Sequence, residues 1–420
     1  MVIWGVAFIW SLALPIAVEF GGINLPLYRV FLIISLVPAF LNIVKTPGKG
    51  LGAVDLFLLL NFIWVFVAMS VNHPMPSIIE STGSYFLEAI AAFWLGKAAC
   101  SDRKDFIRIF KHVSIILILI FPFVLIQSVT GKNIILDVFR HIFPILPPSM
   151  ESQRLGLFRA HASFPHPILF GVFASFSIAL TVLTFKRLKF VSIPIMGLST
   201  FFSLSTGPLL IMVLQIIFLT WNALLSRMKS RWWVFLICFL VTYAVVDVLS
   251  NRTPFHVFVD YMTLNSGSAY NRILIWEFGT AEVARHPIFG IGFNDWNNPG
   301  WMSDSMDNFW LVLAVRYGLP GFLFFFAAFL TIFIKACRRR FPGDPRTAEI
   351  RLGWCLSLLA ISIAGTTVHF FGAVFPLFLF MWGTGAWFYE RQPVRRGRRA
   401  PAVAPAEDVR DLPSGEVARP

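Results

Sequence analysis

Residues 307–340 of the chain read DNFWLVLAVRYGLPGFLFFFAAFLTIFIKACRRR. An apolar run of roughly 20 residues is long enough to cross a bilayer as a helix, and residues 307–334 form such a run. The basic cluster that follows is typical of the cytoplasmic end of a membrane span. The stretch therefore predicts a transmembrane helix, and the same criterion can be applied to the whole chain.

The composition excludes a soluble or disordered protein. Of the 420 residues, 57% are hydrophobic and only 14% are charged, whereas a soluble domain carries about 25% charged residues. Apolar runs recur along the chain and predict an all-α, polytopic membrane protein with about 12 transmembrane helices. We place these helices at 2–20, 26–44, 51–71, 78–97, 112–130, 165–185, 188–205, 208–225, 232–250, 307–334, 352–371 and 373–389.

The positions of the basic residues test this topology. The net charge is +13, from 35 Lys and Arg against 22 Asp and Glu, and in a soluble protein it would suggest nucleic acid. Here the basic clusters fall in every second loop, which marks those loops and both termini as cytoplasmic. We therefore expect membrane lipids and no nucleic acid as partners. The clusters begin at Lys45, Lys97, Lys186, Arg227 and Lys335.

Two domains are predicted. Residues 1–390 form the polytopic membrane domain, and residues 391–420, rich in Pro, Ala and Arg, form a disordered basic cytoplasmic tail. The four cysteines are scattered without a CxxC pair, so neither a disulfide framework nor a metal site is expected. We predict no cofactor.

Two outer segments carry arginines that the topology rule does not explain. Residues 131–164 include Arg159, and residues 251–306 include Arg272 and Arg285. Ordinary solvation of a loop is one explanation, because long loops are tolerated regardless of charge. The other is an anionic ligand at the outer leaflet, such as a lipid phosphate.

The first candidate block lies directly before the span at 165–185. Arg159 offers a planar fork that can hold two phosphate oxygens. His161 and His166 could donate to a phosphate or shuttle a proton. Alternatively, all three merely face lipid headgroups.

The second block, from Ser268 to Pro287, predicts a short outer helix. Arg272 and Trp276 are spaced i and i+4, so they share one side and could meet a phosphate and a sugar face. A surface helix lying on the bilayer is equally compatible with them. The following Gly290 and Gly292 predict a tight loop with positive φ, because a dinucleotide fingerprint would need a third glycine.

The third block enters the span at 307–334. Asp307 could be a general base and Asn308 could orient the same acceptor, although Asp307 could equally be a helix N-cap. Arg316 lies too deep for a surface charge and must find a carboxylate, a carbonyl or a ligand phosphate. The alternative candidates for the base are His161, His166, Asp260 and His286.

Together these blocks resemble the O-antigen ligase/polymerase superfamily of bacterial envelope proteins, most densely over residues 154–325. The shared features, in order, are an Arg block before a mid-chain span, an Arg…Trp helix opening a large outer loop, a Pro-x-x-Gly-x-Gly turn, a polar-Asn pair and a Gly-Leu-Pro-Gly sequence. In this chain they are Arg159, Arg272 with Trp276, the turn at 287–292, Asp307 with Asn308, and residues 318–321.

The resemblance implies a GT-C-like, metal-independent membrane glycosyltransferase of the bacterial inner membrane, with a large late periplasmic loop containing short helices. It implies an undecaprenyl-diphosphate-linked glycan as donor. Arg159 and Arg272 would hold the departing diphosphate and Asp307 would act as base. His161, His166, Trp276, Asn308, Arg316 and Arg285 would bind substrate.

Two departures from the family pattern bear on the reaction. Ligases usually have His before the Asn of the late motif, where this chain has Asp307, and this favours a polymerase of exopolysaccharide or O-antigen-like repeats. The usual Ser-Arg between the two middle spans is Ser205-Thr206 here, so one phosphate contact is missing. A chain-length regulator and a flippase are expected partners. The alternatives are a ligase that transfers the glycan to lipid A-core, and a transporter or flippase of lipid-linked glycan.

Overall fold

The computed structural model describes residues 1–20, 23–145, 152–250, 253, 257 and 266–390. The predicted tail at 391–420 and the alternative base Asp260 lie outside the described residues. The side chain of Ser268 is likewise outside the description, so its predicted capping role is not addressed.

The described chain is mostly helical and contains two small antiparallel hairpins. The hairpins pair β1 (Ala17–Phe20) with β2 (Ile23–Pro26), and β3 (Gln153–Arg154) with β4 (Leu157–Phe158). The helices are α1 (Val2–Ala13), α2 (Leu27–Lys45), α3 (Ala53–Asn72), α4 (Met75–Phe86), α5 (Ala92–Ala99), α6 (Arg103–Thr130), α7 (Ile134–Arg140), α8 (Pro167–Ser175), α9 (Ile178–Thr184), α10 (Lys189–Phe202), α11 (Thr206–Leu224), α12 (Arg231–Leu249), α13 (Ser266–Arg285), α14 (Phe309–Arg338), α15 (Pro345–Ala364) and α16 (Val374–Thr384).

The helices confirm a multi-pass, all-α membrane protein. Among the described residues, 8 helical segments are long and apolar enough to cross a membrane, and shorter apolar helices accompany them at Val2–Ala13, Lys189–Phe202 and Val374–Phe388. Every predicted span contains a helix. The span predicted at 78–97 is in neither of these two groups, because it consists of α4 and α5 joined by a π-helical turn at Leu87–Ala91.

Some predicted boundaries were wrong. The span predicted at 2–20 ends as a helix at Ala13, and the β1–β2 hairpin follows. The spans predicted from 112 and 352 begin earlier, at Arg103 and Pro345. Hydropathy misses these polar first turns, which the side chains of Asp102 and Asp344 cap by accepting backbone N–H groups.

The described part of the late loop contains a helix of 20 residues where the sequence predicts a short outer helix from Ser268 to Pro287. Helix α13 runs over Ser266–Arg285, and its residues Leu274 and Ile275 are buried in a small apolar cluster with Leu311 and Val315 of α14. The cluster packs α13 against the first turns of α14. Arg272 is thereby brought close to the residues that precede α14.

Helix α14 is broken. Gly318 has φ 71° and ψ 175°, outside the helical region, and Pro320 follows two residues later. Proline has no N–H to donate to the carbonyl four residues before it. The break therefore leaves backbone groups that need other partners, and those partners come from the late loop.

Candidate functional site

The late loop inserts its Pro-x-x-Gly-x-Gly turn into the break of α14. The N–H of Ile291 donates to the carbonyl of Val315 at 2.9 Å, and the N–H of Leu319 donates to the carbonyl of Pro287 at 2.8 Å. The indole of Trp64 on α3 donates to the carbonyl of Tyr317 at 2.9 Å. Broken helices are tolerated in membranes when neighbouring groups satisfy the freed backbone. The turn and the Gly-Leu-Pro-Gly sequence are thus one structural unit.

The glycines of this unit are required by its geometry. Gly290 and Gly292 have φ of 63° and 62°, as the sequence predicted. A Cβ on Gly290 would clash with the carbonyl of Val315, and one on Gly292 would clash with the imidazole of His73. The conformation and the close approach therefore both exclude a side chain.

Three arginines surround one cavity of about 290 Å³. This arginine cavity is lined by the side chains of Arg154, Arg159 and Arg272, with Asp307 as its only lining carboxylate among the described residues. Its remaining polar lining comes from His166, Ser205, Thr206, Asn271, Ser305 and Thr367. An excess of guanidinium groups around a cavity provides bidentate donors that suit an anion.

The turn between α10 and α11 holds two of the arginines. Arg159 donates to the Ser205 hydroxyl at 2.7 Å and to the carbonyl of Ser203 at 3.4 Å. Arg154 donates to the carbonyl of Leu204 at 3.1 Å. Burial and the charge of Arg154 together lower the pKa of Arg159 to about 10. The two like charges are held close together, which favours an anion between them.

Arg272 is held by a different part of the fold. Its Nε donates to the carbonyl of Thr367, in the loop between α15 and α16, at 3.1 Å. Burial lowers the pKa of Arg272, and the charge of Asp307 partly offsets this effect. Asp307 accepts a hydrogen bond from the Ser305 hydroxyl at 3.1 Å. The predicted base therefore lies within electrostatic reach of a predicted phosphate-binding arginine.

His166 caps α8 and lines the arginine cavity. Its Nδ1 accepts the N–H of Ile168 at 3.1 Å, so the proton of the neutral ring is on Nε2. Burial, followed by the charges of Arg159 and His161, lowers the pKa of His166 to about 4. At neutral pH His166 can donate a hydrogen bond from Nε2, but it adds no positive charge.

A second cavity of about 250 Å³ adjoins the first. This carboxylate cavity is lined by Asp295, Asp304 and Asp307 together with Arg316 and His369. Asp307 lines both cavities and stands at their junction. Its position suits a group that acts between an anionic ligand on one side and a hydroxyl-bearing one on the other.

Arg316 contacts an aromatic ring, a partner that the sequence analysis did not predict. Its guanidinium lies over the ring of Phe293, 4.9 Å from the centroid. Such a cation–π contact stabilises a guanidinium inside a membrane protein without neutralising it. The charge of Arg316 remains on the wall of the carboxylate cavity.

Residues 191–326 match a family model described as O-antigen ligase. This segment is therefore similar to that family, which supports the resemblance to the O-antigen ligase/polymerase superfamily. The match covers about a third of the chain and includes Ser205, Arg272, Asp307 and Arg316. No curated protein matches the chain.

Four residues that the sequence predicted to bind substrate line neither cavity. His161 is buried, with Nδ1 2.6 Å from the carbonyl of Phe164. Asn308 is the N-cap of α14, where its Oδ1 accepts the N–H of Leu311 at 3.0 Å. Trp276 is 43% exposed. Arg285 is paired with Glu282 at 2.8 Å.

Two of these placements clarify what the residues do in the fold. Asn308, not Asp307, caps α14, which leaves the Asp307 carboxylate to the cavities. Glu282 also accepts the N–H of Asn297 at 3.1 Å, so Arg285 and Glu282 fasten α13 to the late loop. Metal ligands in groups of three or more His, Cys, Asp or Glu are absent from the described part of the chain.

Sequence reasoning missed Arg154 as a site residue and missed His369 entirely. His369 lies between α15 and α16, in a loop that the sequence assigned to a span ending at 371. The Nδ1 of His369 is buried without a hydrogen-bond partner in the described structure. Burial and the charge of Arg316 lower the pKa of His369 to about 3. The available signal was a histidine three residues before Gly372, in a loop that the alternation of basic loops assigns to the outer side.

Proposed function

We propose that the protein is a membrane glycosyltransferase that polymerises undecaprenyl-diphosphate-linked oligosaccharide repeats at the periplasmic face of the bacterial inner membrane. The family match supports a ligase- or polymerase-like glycan-processing function. The arginine cavity supports the finer proposal, because its described lining has three guanidinium groups and one carboxylate, a balance of charge that suits a diphosphate.

The proposed reaction forms one glycosidic bond and breaks one bond to phosphate. A hydroxyl oxygen of the acceptor glycan attacks the anomeric carbon of the donor sugar. The bond between that carbon and the diphosphate oxygen breaks, and its electron pair leaves with undecaprenyl diphosphate. The acceptor hydroxyl proton passes to Asp307. Arg154, Arg159 and Arg272 stabilise the charge that develops on the leaving oxygen.

Guanidinium groups take the role in this proposal that a divalent metal plays in other glycosyl transfers. Arg159 is held by the Ser203–Ser205 turn and Arg272 by Thr367, so both forks are oriented before substrate binds. Preorganised donors cost no reorganisation when the charge develops. The proposed activity is therefore metal-independent.

The orientation follows from the charge pattern of the loops. Basic clusters such as Arg338 to Arg340 follow the far end of α14, whereas the arginine cavity lies at its beginning. By the positive-inside rule, this pattern supports a periplasmic cavity and cytoplasmic termini. A flippase and a chain-length regulator of the same pathway would be its partners.

A ligase and a transporter remain the competing functions. A ligase differs in its acceptor, lipid A-core, and the Asp307 that replaces the usual His favours the polymerase. A transporter would use the broken helix as an ion or substrate site. At this break the carbonyls of Val315 and Tyr317 already accept hydrogen bonds from the protein, which favours the enzyme.

One reconstitution experiment separates these functions. Purified protein is mixed with lipid-linked oligosaccharide extracted from a strain that lacks the protein and accumulates this substrate. New, longer glycan together with released undecaprenyl diphosphate supports the polymerase. Product only when lipid A-core is added supports the ligase. Movement of the lipid across a vesicle membrane without product would establish the transporter and exclude the proposal.

A further inference from the structure

A third cavity continues from the carboxylate cavity along α4. This α4 groove, of about 390 Å³, shares Phe293, Arg316, His369 and Phe371 with the carboxylate cavity. It extends from there to Arg29 on α2. The three cavities therefore adjoin one another, with Asp307 at one junction and His369 at the other.

One wall of the α4 groove is a polar stripe on a predicted membrane span. The stripe consists of residues spaced at helical intervals that all line the groove, namely Ser77, Glu80, Ser81, Ser84 and Glu88. Their exposure decreases along the helix, from the exposed Ser77 and Glu80 to the buried Glu88. Polar and ionisable residues inside a membrane are costly and mark substrate pathways. The stripe therefore indicates a polar path that enters the bundle.

The inner end of the groove is built by an irregular helix. Glu88 lies in the π-helical turn at Leu87–Ala91, a feature often found at functional sites. Its carboxylate accepts from Arg29 Nε at 2.8 Å and from the Tyr28 hydroxyl at 3.1 Å. The pair closes the groove with groups whose charges compensate each other.

The lining suits a hydroxyl-rich ligand better than a phosphate or a lipid chain. Arg29 is already paired with Glu88, and Arg316 lies over Phe293, so the groove lacks the excess of guanidinium groups of the arginine cavity. Serine hydroxyls and carboxylates exchange hydrogen bonds with sugar hydroxyls. The rings of Phe293 and Phe371 offer apolar faces to the C–H faces of sugars.

We propose that the α4 groove binds the acceptor glycan and delivers one of its hydroxyls past His369 to Asp307. This inference rests on the proposed polymerase function and adds the second substrate site to it. His369 contributes a neutral ring whose Nδ1 is unpartnered within the described chain, and it would position the hydroxyl. Residues 77–88 lie outside the segment matched by the family model.

The experiment fills the groove without touching the arginine cavity. Ser81→Leu and Ser84→Leu place apolar bulk on the stripe, and Ser70→Leu makes the same change on α3, at an exposed side chain outside the three cavities. Two quantities are measured on each purified variant. One is the rate of polymer formation from extracted lipid-linked oligosaccharide, and the other is the thermal stabilisation given by undecaprenyl diphosphate alone.

The expected result separates acceptor from donor binding. Ser81→Leu and Ser84→Leu lower the rate at limiting substrate by at least about tenfold, while undecaprenyl diphosphate stabilises them as it does the Ser70→Leu control. Wild-type rates in both variants would overturn the inference and leave the proposed function intact. Folded variants that lose the stabilisation as well would also overturn it, because the groove would then belong to the donor site. An Arg159→Ala variant with wild-type rate and stabilisation would contradict the proposed function itself.

Discussion

The backbone N–H of Gly292 donates to the carbonyl oxygen of Arg316 at 3.0 Å. In an unbroken helix that carbonyl would accept from residue 320, which is a proline and has no N–H. The late loop thus supplies the donor that the helix lacks. Because the same residues line the carboxylate cavity, the position of Arg316 depends on this docking.

Docking of the loop makes Gly290 a critical position. We expect Gly290→Ala to lower the stability by more than about 1 kcal/mol, because alanine is strained at positive φ and its Cβ would meet the carbonyl of Val315. Gly300→Ala is the matched control, since nothing lies within 4 Å of a Cβ built there. Thermal unfolding of the purified proteins in detergent measures both. Equal midpoints for the two variants would show that the loop does not need this conformation.

Arg159 is expected to act through its fork and not only through its charge. Arg159→Ala should lower the rate of polymer formation by about 10²-fold or more, and Arg159→Lys should recover only part of the loss, because lysine keeps the charge but cannot hold two oxygens. Arg140→Ala, at an exposed arginine of α7 outside the three cavities, should behave as wild type. A fully active Arg159→Lys variant would argue against the bidentate contact.

The sequence predicted the membrane spans and two of the cavity arginines, because both depend on local signals. Apolar runs placed the helices, and misplaced positive charge identified Arg159 and Arg272. It could not decide which of Asp307 and Asn308 caps α14, since both residue types are good caps and the choice depends on the backbone at that point.

Long-range pairing determines the partners that local signals could not predict. His161 and Arg285 have the right chemistry for a phosphate, but the fold gives them the carbonyl of Phe164 and the carboxylate of Glu282. His369 follows Asp307 by 62 residues in the chain. Only the meeting of the α15–α16 loop with α14 and the late loop brings both to one cavity. No local pattern encodes that contact.

Arg154 brings a guanidinium to the turn where the family resemblance implies a Ser-Arg pair and this chain has Ser205-Thr206. It donates to the carbonyl of Leu204, beside the Ser205-Thr206 pair where related sequences have Ser-Arg. We expect Arg154→Ala to lower the rate by about tenfold, as expected when one charge-assisted hydrogen bond is lost. Thr206→Arg in that background should restore part of the rate, because Thr206 lines the same cavity. The control is Thr206→Ala in the same background, which should restore nothing. Wild-type activity of Arg154→Ala would exclude its role.

The lowered pKa of His166 makes the stability depend on pH. Folding lowers this pKa from 6.5 to about 4, so between these values the unfolded chain binds a proton that the folded chain does not. The contribution of neutral His166 to the free energy of unfolding is complete above pH 6.5 and is lost as the pH falls to about 4. His166→Asn keeps a side-chain acceptor for the helix cap, and we expect its melting temperature to fall less than that of wild type over this range.

His141→Asn is the control for this measurement, because His141 is exposed and lines none of the three cavities. Its melting temperature should follow that of wild type at every pH. His369, whose pKa is also lowered, is present in all three proteins and contributes equally to each. If wild type and His166→Asn lose stability in parallel, His166 is not the group responsible.

Loss of the Asp307 carboxylate should slow catalysis without weakening donor binding. Asp307→Asn removes the base, and we expect a loss of about 10²- to 10⁴-fold in rate. The same change removes the one carboxylate that lines the arginine cavity within the described part of the chain, so undecaprenyl diphosphate should bind at least as tightly as to wild type. Asp304→Asn is the control, because Asp304 lines the carboxylate cavity and its Oδ1 accepts a hydrogen bond from Asn298 at 3.2 Å. This change should lower the rate much less.

Rates from purified protein and thermal stabilisation by undecaprenyl diphosphate measure the two effects. A larger loss of rate in Asp304→Asn than in Asp307→Asn would move the base to the other carboxylate, and a loss of diphosphate binding in Asp307→Asn would make Asp307 a structural partner of Arg272.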